Sequence, residues 1–512
     1  MLHARVMDIL FVGGEIAPMV RRSDAAEVIA SLSKALRALG HRVTIALPRY
    51  PAIEQAGVLV ARRLSPLVLR GPSGPATEVV LYDGRLGSGA DLLLVDVPKA
   101  GGGPGLERPE GGDATAWATF ARAVAAVVAD RARGDAPFDV VHGHDWIGGA
   151  ALYLVRQAIA REEIASPPRL VLTVHDIAAQ GAFGREAIGA LGLDDAHFSP
   201  ERLEFWGAVS FLKAGLLAAD LVTTPSDTYA RELGTAERGE RKDGLVRAHA
   251  GRTGGPGVVG VSSGVDYAVD NPATDPSLAA RYDADEPSPK GRCKSALAQE
   301  LGLEIDPERP TLGVVVRVGH AASGGGGGAE ALLAALPKLL KLDATIVVAA
   351  TAVDDPRLAE RLEQALAREP ERAAFIAKPT DAQLRRVLAG SDLVLVASGH
   401  DACSPWPMRA QRYGAVPVAA RAGGAIDTVV DLDAELATGT GFLFDGLSAE
   451  NLAGAVARGI AAMRSPRWGA VRRRVMRVDH GWERPARRYG ALYKALVESG
   501  AAAVAAQPAL RA

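Results

Sequence analysis

Cysteine is nearly missing from this chain: its 512 residues include two, Cys293 and Cys403. They lie far apart and fit no Cys-x-x-Cys spacing, which argues against a disulfide framework or a cysteine-based metal site and suits a reducing compartment. Aromatic residues are also scarce, at 5%. An excess of one charge is missing as well, since 58 Lys and Arg face 60 Asp and Glu. A duplex-binding protein carries a basic surplus, so nucleic acid is not an expected partner. Long apolar runs are absent. The run Ile9-Leu10-Phe11-Val12 is too short for a signal peptide or a membrane span, and later apolar stretches are broken by charge. No targeting segment and no membrane partner are expected, and the cytoplasm is the expected location.

What the chain does have is an ordinary globular balance, 48% hydrophobic and 23% charged, with 57 glycines. Its length exceeds one ordinary core and suits two. Short aliphatic runs at 8–12, 41–46, 91–95, 140–142, 170–174 and 221–224 read as strands, as do 311–316, 345–350, 374–376, 393–396 and 416–419. Helical periods lie between them at 24–39, 114–133, 200–219, 330–342, 356–368 and 381–388. Apolar strands separated by helices imply parallel sheets covered on both faces. A breaker-rich stretch, Arg252-Thr-Gly-Gly-Pro-Gly257, parts two such series. The expected division is an N-terminal Rossmann-like domain over 1–258 and a C-terminal one over 259–480. A helix over 481–500 then crosses back, ahead of a frayed tail over 501–512.

Three local features could handle a charged sugar donor. Arg21-Arg22-Ser23-Asp24 opens a helix, where guanidinium groups and a helix N-terminus can meet an anion. His142 and His144 end a strand on one side of it, but no third ligand stands at a metal-site spacing. Arg317 ends a strand before a loop closing in five glycines, 324–328, which reads either as a phosphate cradle or as a floppy connector.

Taken together, these stretches resemble the bacterial glycogen synthase and plant starch synthase family. The resemblance rests on Asp8-Ile-Leu-Phe-Val-Gly-Gly-Glu-Ile-Ala-Pro18, Val141-His-Gly-His-Asp-Trp146 and Leu172-Thr-Val-His175-Asp-Ile-Ala-Ala-Gln-Gly181. Its most specific run is Leu203-Glu-Phe-Trp-Gly-Ala-Val-Ser-Phe-Leu-Lys-Ala-Gly215, and later matches include Ala422-Gly423-Gly424 and Trp482-Glu-Arg. It implies an α/β chain of the GT-B type, two doubly wound Rossmann-like domains facing an interdomain cleft. The implied activity moves α-glucose from ADP-glucose to the non-reducing end of an α-1,4-glucan with retention, without metal or cofactor. The implied catalytic residues are His175, Asp401, Arg317 and Asp145. Donor contacts fall to Arg21, Arg317, Ser263, Gly264, Gly423 and Gly424.

The chain departs from the family pattern where the donor is handled. Lys-x-Gly-Gly-Leu becomes Arg21-Arg22-Ser23-Asp24-Ala25, so both glycines are replaced and a carboxylate enters. Ala322 stands where a second cation belongs, five residues after Arg317. Glu-Pro-Cys-Gly-Leu-Thr-Gln becomes Asp401-Ala-Cys-Ser-Pro405-Trp406-Pro407, and two prolines remove backbone donors. Ser263 replaces an asparagine amide, and the aromatic and arginine cluster of the family is thinned near 98–117. Two alternatives therefore stand beside glycogen synthesis. One is a catalytically impaired paralogue that binds glucan or a partner protein; the other is a retaining transferase with a different nucleotide sugar.

Overall fold

The structure is a computed structural model, and it describes residues 5–70, 76–97, 114–134, 136–233, 245, 257–319, 327–398, 402 and 404–499. The expected tail over 501–512 lies outside the described residues. The chain divides into two compact units, Met1–Val261 with Trp482–Ala512, and Ser262–Gly481. The boundary expected at 258/259 therefore moves to 261/262. Strand Val259–Gly260 is the reason, because it pairs in parallel with Leu221–Thr224 and belongs to the first unit's sheet.

That first sheet runs Val259–Gly260, Leu221–Thr224, Arg169–Thr173, Val140–His144, Asp8–Val12, Arg42–Pro48 and Asp91–Asp96, all in parallel. It then continues antiparallel through Thr77–Arg85 to Val60–Arg62, with Leu67–Leu69 paired beside them. The sequence reading placed no strand in this antiparallel margin. Its strands are half exposed, and Thr77–Arg85 buries only alternate residues, Val79 and Leu81, unlike a strand buried on both faces. The second unit holds six parallel strands in the order Ala373–Ala377, Thr345–Val353, Thr311–Val318, Leu393–Val396, Val416–Ala420 and Phe442–Phe444.

The helix expected over 200–219 is present only in its second half, Phe211–Ala218. Its first half is a hairpin, Glu204–Phe205 against Ala208–Ser210, turned by Trp206 and Gly207. Both turn residues have positive φ, +55° and +82°, the geometry of a two-residue hairpin loop. Ser210 then ends the hairpin and caps the helix, its hydroxyl accepting from the Lys213 N–H. One residue thus switches the chain from strand to helix.

Two features fix the carboxyl ends of the first sheet. Helix Asp145–Ala160 follows strand Val140–His144 without a loop and lies directly on the helix Phe211–Ala218. Glycine permits this contact: a Cβ on Gly149 would stand 2.5 Å from the Phe211 carbonyl oxygen, and one on Gly215 would stand 2.5 Å from Gly149 Cα. The second feature is the last helix, Glu483–Ser499, whose Ala486, Tyr489, Leu492, Tyr493 and Leu496 form a buried stripe in the first unit's core. Its two tyrosines reach polar groups beneath the sheet. Tyr493 Oη lies 2.6 Å from His142 Nδ1, and His142 Nε2 lies 2.6 Å from Thr173 Oγ1. Thr173 and Thr223 share a 2.7 Å bond, and Tyr489 Oη is 3.3 Å from each hydroxyl. Pairing of this kind offsets the cost of burying polar groups.

Two outcomes follow from these contacts. Gly149→Ala should lose about 1–3 kcal/mol by overpacking, whereas Gly454→Ala, open on its helix, should be neutral or gain about 0.5–1 kcal/mol. Equal thermal melts for the two variants would contradict the close approach. In acid, burial holds His142 and His175 down at about 3, far below their ordinary value of 6.5. Between pH 6.5 and 3 the unfolded chain binds protons that the native chain refuses, so stability should fall as pH falls through that window and level off below it. His142→Gln should flatten the slope in urea titrations.

Candidate functional site

In the first unit the candidate residues gather where Asp8–Val12, Val140–His144 and Arg169–Thr173 end, the edge at which doubly wound sheets bind ligands. Asp145 begins its helix with φ +49°. Its Oδ1 accepts hydrogen bonds from the backbone N–H groups of His175, at 2.7 Å, and Asp176, at 3.3 Å. Burial pushes this carboxyl well above the usual carboxylate range, and the neighbouring acids Asp176 and Glu15 push it the same way. His175 lies 8% exposed, with Nε2 3.1 Å from His144 Nδ1. The rings of His142, His144 and His175 stack in series, with centroids 4.4 and 5.4 Å apart. Burial lowers the affinity of all three for protons, so each is neutral at pH 7. Among the described residues, no group of three or more His, Cys, Asp or Glu side chains could hold a metal ion.

Beside this cluster runs the loop after Asp8–Val12. Glu15 is buried, and its carboxylate accepts from the Arg22 N–H at 2.6 Å, the Ser23 N–H at 2.9 Å and the Ser23 hydroxyl at 2.5 Å. Burial raises its proton affinity, and those three bonds oppose the rise. Ser23 Oγ also accepts from the Ala25 N–H, tying the loop to helix Ala25–Ala38. Sequence reasoning treated Ser23 as a helix-start residue and a lost glycine and did not see Glu15 as its partner. The pairing joins residues eight apart across a loop with no regular period. Asp24 sits at φ −69°, a conformation open to any residue, so the backbone here has no need of glycine. The Arg21 guanidinium lies 3.2 Å from the Glu27 carboxylate, and that of Arg22 lies over the Tyr50 ring.

The second unit carries the other candidates. Arg317, near the end of strand Thr311–Val318, is exposed and lies 3.3 Å from the Asp354 carboxylate. Of the glycine run, Gly327 and Gly328 are described, and both are demanded by geometry. Gly327 caps helix Gly328–Leu339 at φ +95°, and a Cβ on Gly328 would fall 2.0 Å from the Ala397 carbonyl oxygen. The floppy-connector reading is therefore wrong for these two. Gly423 turns the chain at φ +51° into the short helix Gly424–Thr428. Gly264 packs on the returning segment, where a Cβ would stand 2.9 Å from the His480 carbonyl oxygen, and neighbouring Val265 donates its N–H to that oxygen. Ser263 precedes this contact. Helix Trp406–Arg412 begins with Pro405 as its cap and Pro407 in its first turn. Asp401, Cys403, Ala322 and residues 98–113 and 324–326 lie outside the described residues. No helix among those described is long and apolar enough to cross a membrane.

Comparison with known proteins agrees with this architecture. The family model described as the starch synthase catalytic domain matches residues 8–248. A glycogen synthase of Anaeromyxobacter sp. (strain Fw109-5) is 37% identical over 96% of this chain and 99% of its own length. One of Acidiphilium cryptum is 35% identical over 96% and 99%. Among solved structures, the catalytic domain of starch synthase IV from Arabidopsis thaliana, bound to ADP and acarbose, superposes with a TM-score of 0.85. It is 25% identical, and the alignment covers 96% of this chain and all of that one. A sucrose-phosphate synthase from Thermosynechococcus elongatus, 17% identical with a TM-score of 0.56, shares the fold. The two parallel sheets are those of a GT-B glycosyltransferase. With relatives matching along nearly its whole length, the chain belongs to the glycogen synthase and starch synthase family.

Proposed function

We propose that this chain transfers α-glucose from ADP-glucose to the non-reducing end of an α-1,4-glucan with retention, acting in the cytoplasm. The observation that carries the reading is the Asp145–His175 pair. Both side chains are held in place by buried contacts while one polar atom on each has no hydrogen bond among the described residues: Asp145 Oδ2 and His175 Nδ1. A carboxyl oxygen and a ring nitrogen on segments joined by the His175 N–H to Asp145 bond suit the hydroxyl groups of a sugar. In this reading, His175 hydrogen-bonds the donor sugar near its reacting carbon, and Asp145 Oδ2 orients a sugar hydroxyl. Arg21 and Arg317 neutralise the diphosphate that leaves, aided by the Gly423–Gly424 turn, and Asp401 contacts the transferred sugar. Ser263 and Gly264 line the same donor.

A slower enzyme is the second reading, and the ion pairs favour it. Arg21 already faces Glu27 and Arg317 already faces Asp354, so each cation must leave an acid to meet phosphate. Both pairs are partly or well exposed, where such contacts are worth about 0–1 kcal/mol, so the diphosphate can compete for them.

Incorporation of radiolabelled glucose from ADP-glucose into glycogen is the direct test. Wild type should incorporate label, and Arg317→Ala should lower kcat/KM by about two to three decades. No label above a heat-killed control would sink the proposal, and calorimetry showing maltoheptaose binding without ADP-glucose binding would favour a glucan-binding paralogue. A second prediction separates the two loop substitutions. Asp24→Gly should lower the KM for ADP-glucose by removing a carboxylate from the donor loop. Ser23→Gly should raise it, because Glu15 then loses the hydroxyl that holds the loop.

A further inference from the structure

We propose that His144 is a positioning residue that fixes the tautomer of His175, placing the His175 proton on Nδ1 and making that nitrogen a hydrogen-bond donor to the sugar. The inference rests on the functional reading of His175 above and assigns a part to a residue outside it. Its basis is a count of protons among buried nitrogens. His144 is 2% exposed and has two ring nitrogens. Nδ1 lies 3.1 Å from His175 Nε2, and Nε2 is buried with no hydrogen-bond partner among the described residues. A neutral imidazole carries one proton, and an N–H buried without an acceptor is the rarer and costlier kind of orphan. The proton of His144 therefore sits on Nδ1 and is donated to His175 Nε2. That leaves His144 Nε2 as a bare lone pair on a ring whose centroid lies 5.1 Å from that of Phe11. With Nε2 occupied as an acceptor, neutral His175 must carry its own proton on Nδ1.

His142 supports the arrangement from below. It is stacked on His144 and held at both nitrogens by Tyr493 and Thr173, so the middle ring cannot tilt away. The last helix thereby reaches His175 through two rings.

The test uses the full chain with histidine-selective ¹⁵N labelling, the His175 signals being assigned from a His175→Gln sample. Wild type should show His175 protonated at Nδ1. In His144→Phe, the Nε2-protonated form should appear, with kcat lowered by about tenfold to a hundredfold and KM for ADP-glucose little changed. His144→Asn, whose amide can place an N–H where Nδ1 was, should restore both the tautomer and most of kcat. An Nε2-protonated His175 in wild type would overturn the proposal, and so would an unchanged tautomer in a folded His144→Phe. Should no label enter glycogen at all, the proposed activity fails while the ¹⁵N result still decides the tautomer.

Discussion

A half-buried carboxyl group takes its hydrogen bonds from whatever donors lie nearest, and for Asp145 these are the backbone N–H groups of His175 and Asp176. That pair of bonds ties the start of one helix to the loop after the neighbouring strand. The strands Val140–His144 and Arg169–Thr173 bring these ends together by parallel pairing, with His144 opposite Thr173. The glycine contact at Gly149 and Gly215 seats the helix that carries Asp145. The polar ladder from Tyr493 through His142 to Thr173 fixes the sheet from its other side. Regular elements thus hold the two side chains to which the proposed function assigns the sugar, an arrangement that would leave little ordering to be done on binding.

The donor loop shows how a substitution that looks damaging in one dimension is absorbed in three. Replacing glycine by serine adds a hydroxyl, and Glu15 takes it up together with two backbone N–H groups. The loop thus exchanges conformational freedom for a fixed shape. Asp24 is different in kind, because its backbone is relaxed and the consequence is electrostatic. Its carboxylate is exposed, and in the proposed donor site it would repel an incoming diphosphate most strongly at low salt. The two neighbours therefore differ in consequence: Ser23 organises the loop, while Asp24 would oppose the donor of the proposed function.

The parallel strands were legible because strands buried on both faces must be continuously apolar, as Ile9-Leu10-Phe11-Val12 and Leu393–Val396 are. The roles proposed for Asp145 and His175 come only from the family motifs around them, since each alone reads as a helix cap or a core histidine. The hairpin at 204–210 was hidden inside a helical period, and the Trp206-Gly207 turn overrode it. The parts of the polar ladder come from residues 142, 173, 223, 489 and 493, and no local pattern links positions so far apart. Glu15 and Ser23 escaped for the same reason on a smaller scale.

The stacked histidines and the missing metal ligands bear on one another. Two histidines at alternate positions on a strand end are a common start to a metal site, and a metal requires free lone pairs facing one point. Here His142 spends both nitrogens on Tyr493 and Thr173, and His144 spends one on His175. The rings face each other in a stack, so their lone pairs do not converge. The same spacing that suggests a metal ligand pair instead builds a column of neutral imidazoles. Stacking, burial and full use of the nitrogens of His142 keep that column uncharged, and an uncharged column can define where a proton sits without adding a cation beside a sugar. In the proposed function, phosphate neutralisation falls to Arg21 and Arg317, whose present ion pairs with Glu27 and Asp354 are at least partly solvated.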